Sequence, residues 1–229
     1  MDNISLNKKV NNLNLRRIGI PALTVTVIFF LWFGPLHMPY IVNIVISLLI
    51  VVANYFEYHG KPFSALGFQR KRFTVINLLV LAPLVASALF AFYVFLLVPG
   101  VTLLTGVPID YSAFAPLEGD LGFTLVAIAV VWATAGFGEE IIFRGYFMRQ
   151  FAKFFGEGKI SIALNIIVLG CFFGFMHGYQ GITGQVVTGV IGAIIAFIFY
   201  LRKYDLWFVI AVHGFIDTIA LLCLYFGLA

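Results

Sequence analysis

The chain has 229 residues, of which 62% are hydrophobic and 10% charged, with a formal net charge of +4 and a mean hydropathy of +1.05. Soluble domains run at about 45–50% apolar and about 25% charged, so a soluble fold of this size is excluded: its interior could not hide so much apolar surface. Lipid must solvate most of the chain. The two cysteines, Cys171 and Cys223, sit in apolar runs and match neither a zinc ribbon nor a secreted disulfide framework.

Apolar stretches approaching the roughly 20 residues of a spanning helix recur with short polar breaks. In chain order the spans are expected near 18–36, 38–56, 73–99, 121–143, 160–178, 181–201 and 206–227. The fold class is therefore all-α and polytopic, with about seven transmembrane helices, or eight if the 73–99 stretch or a glycine-rich segment is broken. The first span follows a basic segment, residues 1–17, and reads as a retained helix because no small-residue cleavage pattern follows it.

Threading seven spans alternately across a bilayer gathers all 14 Lys and Arg, from Lys8 to Lys203 and including Arg144, Arg149 and Lys153, on one side. The opposite loops carry only the acids Asp110, Glu118 and Asp120. By the positive-inside tendency the N-terminus is cytoplasmic. Residues 18–120 form accessory helices and one long outer loop at 100–120, and residues 121–229 form the core that carries the ionisable residues. In the sixth span Gly181, Gly184, Gly189 and Gly192 should let a neighbouring helix approach closely.

An ionisable side chain near mid-bilayer costs at least about 2.5–3.5 kcal/mol on insertion scales, so such residues point to function. They occur at three places: Glu139-Glu140-Ile-Ile-Phe-Arg144, Phe173-Gly-Phe-Met-His177 and His213-Gly-Phe-Ile-Asp217. One helical turn brings Arg144 beside Glu140 and Asp217 beside His213, while Glu139 turns about 100° away from Glu140. Taken singly, each has an ordinary explanation: a surface ion pair, an interfacial histidine, a helix-packing hydrogen bond. Taken together, two Glu, two His and an Asp on three spans suggest one buried polar centre. The remaining seven acids, Glu57 among them, fall in loops or tails. His37 and His59 have no acidic partner in register and receive no role. Such a set can bind Zn²⁺ and ionise its water, or activate water directly with Glu and His while another His steadies an oxyanion. A proton-coupled transporter also uses it, but would show internal inverted symmetry, which this sequence lacks.

The three segments, in this order, resemble the EExxxR, FxxxH and HxxxN/D motifs of the CPBP family of CAAX proteases and bacteriocin-processing enzymes. These are also called Abi or type II CAAX prenyl endopeptidase-like proteins. The resemblance covers about 121–227, and the stretch Leu66-Gly67-Phe68 looks like a common loop of these proteins. It implies an intramembrane endopeptidase acting on a membrane-associated peptide or lipid-modified protein. Glu139 and His177 would activate water, His213 and Asp217 would stabilise the oxyanion, and Glu140 and Arg144 would support the site. Family naming implies a divalent metal, zinc, held by Glu139, His177, His213 and Asp217, against a metal-free glutamate mechanism. An ionised Asp217 accepts hydrogen bonds but cannot donate them, so it suits a metal ligand or an orienter of His213 better than an oxyanion donor. The absence of HExxH excludes the zincin arrangement. The alternatives are bacteriocin or leader-peptide processing, an immunity protein, or a non-catalytic scaffold or regulator. The expected location is a prokaryotic plasma membrane, with no nucleic-acid partner. Simple threading leaves one conflict: Glu139 falls toward the cytoplasmic third and His177 toward the outer end of its span, so one helix must tilt, shift or break.

Overall fold

The computed structural model describes residues 15–34 and 39–228; Lys8, Lys9 and His37 lie outside them, as does most of the basic segment 1–17. The described residues form helices and connecting turns, with no strand among them. Seven long rods follow one another: α1 (Leu15–Phe33), α2 (Pro39–Glu57), α3 (Ile76–Thr105), α4 (Leu121–Phe155), α5 (Lys159–Phe175), α6 (Gly181–Leu201) and α7 (Leu206–Tyr225). Five of them, α1, α3, α4, α6 and α7, are long and apolar enough to cross a membrane, while α5 and the described part of α2 are apolar but shorter. All are apolar around most of their circumference, as expected where lipid replaces water.

Two rods outrun their expected ends. α3 continues through Thr105, and α4 continues to Phe155, well past the boundary expected at 143. The reason in α4 is that its basic residues are bound within the fold. Arg144 is buried, 2% exposed, and therefore does not join the other basic residues at the surface as threading had placed it. Arg149 Nε donates to the Ala65 carbonyl, its guanidinium lies over the Tyr204 ring, and Lys153 donates to Glu57. Glu57 is accordingly not a loop acid. Its buried carboxylate accepts from Gln150 and Lys153 and fastens the end of α2 to α4. Arg16 reaches His59, Lys153 reaches the Arg17 carbonyl, Gln69 donates to the Lys203 carbonyl, and Arg202 bonds Asn77. These contacts knit the basic residues they involve into one end of the bundle.

α5 and α6 form an antiparallel hairpin whose contact is made by glycines. A Cβ on Gly174 would lie 2.3 Å from the Gln185 carbonyl oxygen, and one on Gly192 would lie 2.7 Å from the Phe173 ring. Of the four α6 glycines, Gly189 and Gly192 make the expected close approach. Gly184 instead faces the Gln180 side chain in its own preceding turn, and Gly181 has open space around it and supplies a positive φ at the turn into α6. The Leu66-Gly67-Phe68 loop docks on the start of α7: Leu206 N–H donates to the Gly67 carbonyl, and Gly67, at φ +100°, leaves no room for a side chain beside the Tyr204 carbonyl.

The loop from 106 to 120 folds back over the other end of the core. Its Asp110 N–H donates to the Gln180 carbonyl, its Gly119 N–H donates to the Tyr225 carbonyl, and Tyr111 meets the Tyr93 hydroxyl at 2.7 Å. Asp120 caps α4 by accepting from Phe123 N–H, as Asp205 caps α7 by accepting from Phe208 N–H.

Candidate active site

α4 carries Glu139 and Glu140 where its turns widen: residues 132–139 and 141–148 both run as π-type turns. Such widenings place an extra residue in a turn and recur at functional sites. The cause is visible in the neighbours. Gly136 and Gly138 let α4 lie against Gly214 of α7 and Asn43 of α2, with the Ser47 hydroxyl donating to the Gly138 carbonyl.

Glu140 is the hub. It is 0% exposed, and its Oε1 accepts from Arg144 Nη1 and from His213 Nδ1, each at 2.8 Å. Arg144 in turn donates through Nη2 to the Gly192 carbonyl at 2.7 Å and lies over the Phe173 ring. One carboxylate, one guanidinium and one imidazole therefore join α4, α6 and α7, with the aromatic ring of α5 closing the cluster. The expected pairing of Glu140 with Arg144 is present. The expected pairing of His213 with Asp217 is looser: Nε2 lies 3.6 Å from Asp217 Oδ2, while the direct hydrogen bond of His213 goes to Glu140.

His177 follows the last turn of α5. Its Nδ1 lies 2.8 Å from the Phe173 carbonyl oxygen, and because a carbonyl only accepts, Nδ1 carries the proton. In the neutral ring Nε2 is then left as a free base. The Phe173 ring meets both the His177 ring, at 4.8 Å, and the His213 ring, at 6.0 Å, which ties the end of α5 to the turn of α7 that carries His213 and Asp217. Glu139 Oε2 is buried with no hydrogen-bond partner among the described residues. His177, Glu139 and Asp217 are all partly exposed, whereas Glu140, Arg144 and His213 are buried. The cluster thus has a closed supporting side and an open side on which a water or substrate can meet Glu139, His177 and Asp217.

The depth conflict disappears once α4 runs to Phe155. The Phe173 ring, one turn before His177, lies against Arg144 of α4 and meets the His213 ring at 6.0 Å, so the end of α5 reaches the level of the cluster on α4.

Trp132 is a contributor that motif reading misses. Its ring covers Gly214, where a Cβ would come within 2.7 Å, stacks edge-on against Phe215, and donates Nε1–H to Thr218 Oγ1 at 3.0 Å. It clamps the turn that carries His213 and Asp217 against the helix of Glu139. Trp132→Phe keeps an aromatic ring but removes the donor and part of the indole, and should destabilise the protein by about 1 kcal/mol, which thermal unfolding of the variant against wild type checks.

Residues 121–219 match the family model for type II CAAX prenyl endopeptidase Rce1-like proteins. All three motifs lie inside the matched segment, and α1 to α3 lie outside it. Comparison with curated proteins and with solved structures gives no match. The Rce1-like segment contains the whole Glu140–Arg144–His213 cluster, together with Glu139, His177 and Asp217.

Of the four residues named as metal-ligand candidates, Glu139, His177 and Asp217 lie on the open side and His213 is buried behind them; among the described residues no three His, Cys, Asp or Glu are disposed to hold one ion, and the chemistry below is written for water and side chains.

Proposed function

We propose that this protein is an intramembrane endopeptidase that hydrolyses a peptide bond in a membrane-associated substrate, with prenylated CAAX-type proteins as the substrate class. The observation that carries the reading is the meeting of the three motifs in one cluster, with Glu140 tying Arg144 to His213 and the Phe173 ring lying against Arg144, His177 and His213. The Rce1-like match over the same residues supports it. The basic end of the bundle would face the cytoplasm by the positive-inside tendency, which also favours seven crossings.

In this mechanism Glu139 takes a proton from a water aligned by His177 Nε2 as the water oxygen attacks the scissile carbonyl carbon. His213, held through Nδ1 by Glu140, presents Nε2 to the developing oxyanion. When protonated it donates Nε2–H there, with Asp217 and Glu140 balancing the charge. The proton from Glu139 passes to the leaving nitrogen as the C–N bond breaks, releasing an amine and a carboxylate. Asp217 here orients and balances His213, the role an ionised carboxylate can fill.

The test is cleavage of a quenched, lipid-modified CAAX peptide by the purified chain in nanodiscs. Wild type should cleave it and Glu139→Ala should lose about 10²–10⁴-fold in turnover. His59→Ala, whose ring meets only Arg16 at the basic end among the described residues, should turn over like wild type. Equal activity in Glu139→Ala and wild type would sink the site assignment. A zinc chelator such as phenanthroline, added to wild type, should leave the rate unchanged if glutamate acts alone. Loss of activity that added Zn²⁺ restores would instead establish a metal.

A further inference from the structure

At the basic end an open groove of about 760 Å³ lies between α2, the 63–73 connection, α4 and the start of α7, within the range of about 300–1,000 Å³ typical of small-molecule sites. Its floor is aromatic. Phe68 and Phe73 each meet Trp207 edge-on at 4.7 Å, and Phe137 reaches the same indole at 6.2 Å. Arg70 stands at its rim, followed by Lys71 in the same short turn. Both are exposed, and neither forms an ion pair among the described residues. The unneutralised Arg70 at the mouth of an apolar, aromatic groove, with the exposed Lys71 next to it in the chain, is complementary to an amphiphile with an anionic head and a hydrocarbon tail.

The groove is not the catalytic opening. It is walled on α4 by Phe137 and Ile141, and Glu139 projects about half a turn round the helix from Phe137. The substrate-facing residues and the groove are therefore on opposite faces of α4. The geometry points to a binding site for an anionic phospholipid of the bilayer, its headgroup on Arg70 and Lys71 and one acyl chain along Trp207, Phe68 and Phe73. Such a lipid would brace the catalytic helix from behind. This assignment stands on the groove alone and does not depend on the peptidase reading.

Trp207 is the reporter. The full chain is placed in phosphatidylcholine nanodiscs doped with bromine-labelled phosphatidylglycerol or bromine-labelled phosphatidylcholine, and the Trp207 component of fluorescence is isolated as the difference between wild type and Trp207→Phe. Quenching by the phosphatidylglycerol should reach its midpoint at a mole fraction on the order of tenfold lower than quenching by the phosphatidylcholine. The double variant Arg70→Gln/Lys71→Gln should bring the two midpoints together while keeping the wild-type melting temperature. Equal midpoints in wild type, or a preference that survives in the double variant, would overturn the proposal. So would displacement of the labelled phosphatidylglycerol from Trp207 by a prenylated peptide, which would make the groove a substrate site.

Discussion

Glu140→Gln is expected to destabilise the protein by about 3–5 kcal/mol and to lower peptide cleavage by on the order of 10²-fold, although the substitution changes almost no volume. The wild-type carboxylate is wholly buried and is the acceptor for both Arg144 and His213. The amide oxygen can still accept, but the charge is gone, and Arg144, 2% exposed, is left as a buried cation with no anion, held only by neutral acceptors and the Phe173 face. Removing one partner of a buried pair costs far more than replacing both, because the survivor keeps its desolvation penalty. The double variant Glu140→Gln/Arg144→Leu should therefore regain a large part of the lost stability while remaining inactive, since His213 still lacks its anionic anchor. Denaturation of the purified variants, read as a double-mutant cycle, separates the two effects. Strict additivity of the two single losses would mean that Glu140 and Arg144 are not coupled. Glu139→Ala provides the contrast: Glu139 Oε2 has no partner among the described residues, so activity should go while the melting temperature stays.

The residues of this cluster were legible because lipid makes them conspicuous. In a chain so poor in charge, Glu139, Glu140, Arg144, His177, His213 and Asp217 stand out from the apolar runs around them, and helical spacing alone pairs Glu140 with Arg144. The helical rods were legible for the same reason, since the hydropathy that names a span is the property that places it in lipid. Their ends were less so. Arg144, Arg149 and Lys153 read as the start of a loop because sequence counts charges without showing their partners. Glu57, which neutralises Lys153 and takes Gln150, lies nearly a hundred positions away. The same blindness hid the second partner of His213. The residue one turn ahead, Asp217, was visible, while Glu140, reached only when α4 and α7 pack through Gly136 and Gly214, was not. Trp132 escaped notice because an aromatic residue in an apolar helix is ordinary until a glycine is found beneath it.

Gly174→Ala should be strongly damaging although it adds a single methyl outside the ionisable cluster. The added Cβ would meet the Gln185 carbonyl oxygen at 2.3 Å and the Gly189 backbone at 2.9 Å. These obstacles belong to helix backbone, which cannot swing aside as a side-chain end can. α5 and α6 must separate, and overpacking of this kind costs about 1–3 kcal/mol in a well-packed core. The loss of function should exceed that figure. Gly174 lies one residue from Phe173, whose carbonyl fixes the His177 tautomer and whose ring supports Arg144. Gly192, one turn beyond Gly189, supplies the carbonyl that holds Arg144. Parting the hairpin thus moves His177, which aligns the water, and the support of Arg144 together, and a misplacement of about 1 Å in such a site costs on the order of 10²-fold in rate. Cleavage and thermal unfolding of Gly174→Ala should both fall, whereas Gly100→Ala, a glycine with no atom within 4 Å of its added methyl, should match wild type in both. Wild-type turnover in Gly174→Ala would show that the hairpin does not set the position of His177, and with it the link between close α5–α6 packing and catalysis would fall.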